Sequence, residues 1–211
     1  MRSILKKLKF LTSATAVFAK DRSGAAVVEF SIVLPVMLLV FGVGLVVQDA
    51  IRMSYLNNKA AYTLSDMVSR EDVQIDSPYF DGLNSIYEYL IDYRYPTHLR
   101  ISTIECTSDC TDATRRILEV CWSKPSSGLS ALTTADIAAY NSRTPVLAQG
   151  DTLLMTETFL EYTPLLGDAI LSSRTYEATT FTRPRIVPQL KFDTGAFDSF
   201  GNKLLKDCFN N

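Results

Sequence analysis

The chain has one histidine, His98, so any hydrolytic site built on a His-activated nucleophile depends on that residue alone. It stands just after Pro96 at an expected strand start, where a surface position accounts for it. No glycine-rich phosphate loop follows a strand-like run, and no His-Glu-x-x-His occurs. Glu157 and Glu161 stand four apart in an expected strand and share a face. Solvent exposure accounts for them without a glycosidase pair. Net charge is small, −2 at pH 7, so nucleic acid is not an expected partner. Internal repeats and low-complexity linkers are absent too. These absences argue against an enzyme and against a cofactor.

Charge is missing altogether between Phe30 and Gln48. The apolar segment as a whole covers residues 25–47, interrupted by Glu29, Ser31 and Pro35. A transmembrane helix needs about 20 such residues, whereas a secretory signal has a core of roughly 7–15. The residues that follow, Gln48 and Asp49, make a poor signal-peptidase site. Ahead of the run stand Arg2, Lys6, Lys7, Lys9, Lys20 and Arg22, opposed only by Asp21. Basic flanks stay in the cytoplasm, so residues beyond about 50 are expected outside, which in a bacterium is the periplasm. The four cysteines, Cys106, Cys110, Cys121 and Cys208, all fall on that outer side. An even number there reads as up to two disulfides. Metal binding is the rival reading: Cys106-x3-Cys110 resembles half a zinc site, but no second pair has suitable spacing.

Glu29 is the exception inside the apolar run. A carboxylate within a span costs about 2.5–3.5 kcal/mol on insertion scales, less near the interface, and such residues usually have a partner. Were the bond after Gly24 cut, Ala25 would carry a free α-amine at nearly the same depth. Glu29 could then pair with that amine on a neighbouring subunit, cancelling two charges at low dielectric. The plain alternative is an interfacial Glu within reach of Arg22 or Lys20.

The stretch Arg22-Ser23-Gly24-Ala25-Ala26-Val27-Val28-Glu29-Phe30, with Leu34-Pro35 behind it, resembles the processing site of the Tad (Flp) branch of type IV pilins and pseudopilins. The resemblance is to TadE-like minor subunits. It implies that a prepilin peptidase cuts after Gly24, making Ala25 position +1, Glu29 position +5 and Phe30 position +6. It further implies partners among other Tad pilins and pseudopilins and the inner-membrane assembly platform. Two later stretches add to it: Glu161-Tyr162-Thr163-Pro164 resembles the Tyr-x-Pro segment that ends a strand in such chains, and Thr182-Arg183-Pro184-Arg185 resembles their C-terminal ending. TadE-like and TadF-like roles are not separated by these residues. The implied localisation is the inner membrane, single-pass, with the C-terminal domain periplasmic.

Beyond the span, residues 48–70 contain neither Pro nor Gly, and Met53, Leu56, Ala60, Leu64 and Met67 recur at steps of three and four. One helix over residues 25–70, about 69 Å long at 1.5 Å per residue, is expected. Its other face would carry Asn57, Lys59, Ser65 and Asp66. Pro35 and Gly42 mark positions where this stem would kink or permit close helix approach. A second helix is expected over residues 79–92, with Ser77 as N-cap, Pro78 at N1, and Leu83, Ile86, Tyr87 and Leu90 inward.

Strands follow over residues 98–106 and 114–123, hairpin-like, then 151–162 and 174–183, with a loop and short helix over 124–143. In the second strand Leu118, Val120 and Trp122 are expected on one face, and Ile117, Glu119 and Cys121 on the other. Three disulfide pairings are open; one bridges Cys106 to Cys121 across the hairpin and leaves Cys110 for Cys208.

The expected class is α+β: a long N-terminal transmembrane, pilin-like helix on a small antiparallel sheet. The expected organisation is a basic leader over 1–24, a stem over 25–70 and a periplasmic domain over 71–211. Three readings compete: a processed Tad pseudopilin, a permanently anchored periplasmic adaptor or binding module, and an anchored enzyme that would need His98.

Overall fold

The computed structural model describes residues 23–208 except 113 and 166. Residues 1–22 of the expected leader, 1–24, lie outside the described residues. The first element is a 47-residue helix, α1 (Ser23–Ser69), with Pro35 inside it. Valine and isoleucine are middling helix formers, but in an apolar solvent only a helix satisfies every backbone N–H and C=O within one segment. Compactness divides the chain into two units, meeting between Val47 and Gln48. In the first unit, side chains 27–41 are all exposed. This stretch makes α1 long and apolar enough to cross a membrane.

The second unit is an α+β domain. The part of α1 within it buries Met53, Ala60, Leu64 and Val68, while Leu56 and Met67 are partly covered. Asn57 and Ser65, expected on the polar face, are buried instead. Asn57 lies four residues after Met53 and Ser65 four after Ala61, so both fall within the inward stripe. Each is satisfied there: Asn57 accepts from Tyr87 Oη at 2.6 Å and donates to the Tyr176 carbonyl at 2.9 Å. Ser65 shares a hydrogen bond with the Thr182 hydroxyl.

Helix α2 (Ser77–Leu90) buries Phe80, Leu83 and Tyr87. Its N-cap is Asp76 rather than Ser77: the Asp76 carboxylate accepts the Tyr79 N–H at 2.9 Å, and Pro78 occupies the first turn, where no backbone donor is needed.

Four strands form an antiparallel sheet: β1 (Thr97–Ser108), β2 (Ile117–Pro125), β3 (Thr152–Tyr162) and β4 (Arg174–Thr182). Their order is β2-β1-β3-β4. A further hairpin of β5 (Phe192–Phe197) and β6 (Lys203–Lys206), absent from the sequence expectation, joins Ile75 through a parallel bridge to Phe192.

The sheet is covered on both faces. Leu99, Ile101, Leu154, Leu160 and Tyr162 pack in one core with α1, α2, Leu190 and Phe192. Ile104, Cys106, Leu118, Val120, Leu153 and Met155 pack in the other, under Leu132, Ile137 and Leu147 of the 126–151 segment. A short 3-10 helix, Asp136–Tyr140, lies in that segment.

Two expectations for β2 are corrected, one by an irregularity and one by the register with β1. Trp122 pairs with Thr103 but Val120 pairs with Ile104, so Cys121 is an extra residue, a β-bulge. The bulge reverses the alternation: Leu118 and Val120 enter one core, whereas Trp122 enters the other and donates its indole N–H to the Leu190 carbonyl at 2.8 Å. The register between β1 and β2 decides the disulfides. Cys106 faces Leu118, not Cys121, so the cross-hairpin bridge does not form. Cys106 pairs with Cys110 and Cys121 with Cys208. Asp109, at φ +49°, turns the chain back so that Cys110 returns to Cys106.

The two bridges are unequal. Cys121–Cys208 closes a separation of 87 residues, Cys106–Cys110 only 4. Since a cross-link acts mainly by restricting the unfolded chain, replacing Cys121 and Cys208 by serine should cost about 3 kcal/mol, and replacing Cys106 and Cys110 clearly less. Chemical denaturation of both double variants measures this; equal losses would refute the ranking.

Candidate processing and assembly site

Gly24, Ala25, Glu29 and Phe30 all lie in the first two turns of α1. A Cβ added at Gly24 meets no atom within 4 Å, so the chain's own packing places no limit on the residue there. Ala25 and Glu29 are four apart and stand one above the other on the helix. Glu29 is exposed and Phe30 is 64 % exposed, both on a surface that is otherwise apolar. Ser31, the next polar residue, turns its hydroxyl inward and donates to the Val27 carbonyl at 2.7 Å, which leaves the Glu29 carboxylate as the one charge facing outward across residues 27–41. Pro35 is exposed on this helix and Gly42 partly covered.

Asp49 received no role from the sequence beyond spoiling a peptidase site, yet three side chains of the folded domain converge on it. Arg94 reaches its Oδ1 at 3.1 Å, while the Tyr95 and Tyr162 hydroxyls donate to its Oδ2 at 3.3 and 3.2 Å. The Tyr95 and Tyr162 rings lie 5.2 Å apart. Burial, followed by the charge of Asp49, pushes the Tyr162 hydroxyl up to about 12, so it stays a donor at any physiological pH. Tyr162 is the last residue of β3, and this contact gives its ring and hydroxyl a structural purpose at the strand end. The only signal in the sequence was that Asp49 is the first charge after the apolar run.

Glu157 and Glu161 share a face as expected, but their surroundings differ. Glu161 is exposed, whereas Glu157 is 1 % exposed and makes a two-pronged pair with Arg100, its direct partner across β1 and β3, at 2.6 and 2.8 Å. Tyr140 donates to the same carboxylate at 2.8 Å, and Arg100 donates to the Ser130 carbonyl at 3.2 Å. Burial opposes the charge on Arg100, but the hydrogen bonds and charge of Glu157 outweigh it and raise the guanidinium's pKa. Arg116 pins the same segment by donating to the carbonyls of Asn141, Thr144 and Pro145. The 126–151 segment is thus held by two buried arginines, which sequence reasoning missed because it took Glu157 as solvated.

His98 is not on an open surface. Its ring bonds the Ser127 carbonyl at 2.8 Å and Glu161 at 3.3 Å, and Gly128, at φ +88°, lies close enough that a Cβ would sit 3.0 Å from it. Among the described residues, one cluster has metal-ligand character: Glu105, Cys121 and Cys208. Its two sulfurs form a disulfide and offer no thiolate.

Comparison with protein-family models, curated proteins and solved structures finds no match to this chain.

Proposed function

We propose that this chain is a TadE-like minor pseudopilin of a Tad (Flp) pilus. A prepilin peptidase cuts it after Gly24, and it primes, caps or stabilises the pilus at the inner membrane. The observation that carries this reading is Glu29: an exposed carboxylate five residues after Gly24, at the head of a helical segment uncharged from Phe30 to Gln48. In this reading the peptidase frees the α-amine of Ala25, and Glu29 pairs with that amine on a neighbouring pilin or pseudopilin. The α+β domain stays in the periplasm, and disulfides suit that compartment. The protein is a substrate of processing and a part of an assembly rather than an enzyme.

Intact mass and N-terminal sequencing of the protein from its native membrane, with and without the peptidase, test the proposal. A chain beginning at Ala25 only when the peptidase is present is the expected result. An uncut chain in both strains would refute it in favour of a permanently anchored periplasmic adaptor. Gly24→Leu should leave the precursor intact. Because a side chain at position 24 meets nothing in this chain, loss of cutting would report on the peptidase's requirement and not on misfolding.

A further inference from the structure

We infer that the folded domain itself touches the bilayer, and that Tyr89, Tyr93, Leu165 and Ile170 sit in the lipid headgroup layer. This rests on reading residues 27–47 as a membrane span and adds to it a second, peripheral contact. Asp49 is the second residue of the folded unit and follows the last residue of the span by two positions, about 3 Å along a helix. The side chains fastened to Asp49 therefore gather at one level of the domain, the end that the span enters. Arg94 and Tyr95 bring the turn after α2 to that level, and Tyr162 brings the loop after β3.

Those two segments display apolar and aromatic side chains that nothing in the domain covers. Tyr89 and Tyr93 are 71 % and 67 % exposed and pack edge to face with centroids 6.4 Å apart; Leu165 is 75 % exposed and Ile170 is 39 % exposed. The turn that presents Tyr93 is strained, because Asp92 and Tyr93 have φ of +65° and +50° without being glycine. A left-handed residue with a Cβ costs about 1–2 kcal/mol, so glycine would suit this turn better as a turn. Instead it holds out a tyrosine, a residue that concentrates at membrane–water interfaces because its ring is apolar and its hydroxyl is polar.

The charges at this end do not make it basic: Arg52, Arg94 and Arg174 stand against Asp49, Glu88, Asp92, Glu161 and Asp168. Attachment therefore comes from inserted apolar side chains and not from anionic headgroups, and phosphatidylcholine suffices as the lipid.

The test places an added tryptophan in the full chain reconstituted in phosphatidylcholine bilayers, with bromine carried at shallow or deep positions of the acyl chain. Trp122 is buried and supplies a constant background. Tyr93→Trp and Leu165→Trp should each lose more of the added emission to shallow than to deep bromine, as rings at the headgroup level do. Val146→Trp is the control: it is exposed in the loop before β3, at the opposite end of a strand about 33 Å long. Leu38→Trp, quenched by deep bromine, reports the span separately. Quenching at position 38 with none at 93 and 165 beyond that at 146 overturns the headgroup contact and leaves the span standing. No quenching at any position overturns both. Quenching at 93 and 165 that disappears when protein is diluted within the bilayer would mean a second copy covers this end, and also overturns the proposal.

Discussion

Glu29→Ala is expected to enter the membrane as well as the wild type, to be cut after Gly24, and to yield no assembled pilus. Deleting a carboxylate from a spanning segment removes an insertion cost of about 2.5–3.5 kcal/mol at the bilayer centre, less near the interface. Poor insertion therefore cannot explain a loss of assembly in this variant. On the proposed function, what is lost is the partner for the α-amine of Ala25 on the adjoining subunit. Two unit charges 4 Å apart attract by about 4 kcal/mol at an effective dielectric of 20, and the amine would otherwise remain unpaired among apolar stems. Glu29→Gln keeps size and hydrogen-bonding capacity but not charge, so it should fail nearly as completely. Counting pili in strains matched for membrane level and for processing measures this. Wild-type piliation with either variant would sink the role assigned to Glu29, while leaving the cut after Gly24 to be judged by its own experiment.

Glu157→Ala should lower the stability of the folded domain by about 3–5 kcal/mol, the usual result of removing one partner from a buried ion pair. The charge left behind, Arg100, is 9 % exposed, and its remaining partners would be the Ser130 carbonyl and the Tyr140 hydroxyl. For a domain of this size the loss corresponds to a melting temperature roughly 10 °C lower. The damage should concentrate in the 126–151 segment, because Ser130 and Tyr140 belong to it and are held through this pair. Replacing Arg100 and Glu157 together by methionine should be far milder than Glu157→Ala, since a hydrophobic pair of similar volume leaves no stranded charge. Thermal melts of the single and double variants decide the matter. A double variant no more stable than Glu157→Ala would show that the segment depends on the polar contacts themselves. Hydrogen exchange in residues 126–151 gives the local readout.

Much of the architecture was legible because it follows from periodicity. The apolar run, the stripe of Met53, Ala60 and Leu64, and the alternating strands each repeat a pattern with one physical reading, a helix long and apolar enough to cross a membrane or a face packed against a sheet. The same reasoning went wrong where a single residue broke the repeat. Cys121 is one extra residue in β2, and that insertion sent Trp122 to the opposite face, while the register with β1 set Cys106 opposite Leu118 and denied it its expected partner. Nothing in the local sequence announces a bulge, because it is fixed by the register with β1 and by the fit of the indole beneath Leu190.

The misplaced polar residues teach the same lesson from another direction. Asn57, Ser65 and Glu157 read as solvated because burying them alone is costly, and each is buried because a partner distant in sequence satisfies it. Asp49 belongs with them: its three partners lie 45, 46 and 113 positions away, out of reach of any local pattern.

By itself the sequence determined the membrane-length segment, its lone carboxylate, the helix after it and the strand-rich remainder, since those depend on composition and spacing along the chain. The tertiary structure alone decided the disulfide pairing, the two-sided covering of the sheet, the buried Arg100–Glu157 pair and the fastening of the domain at Asp49. Those features depend on which residues become neighbours in space, and that is set by strand register and long-range packing.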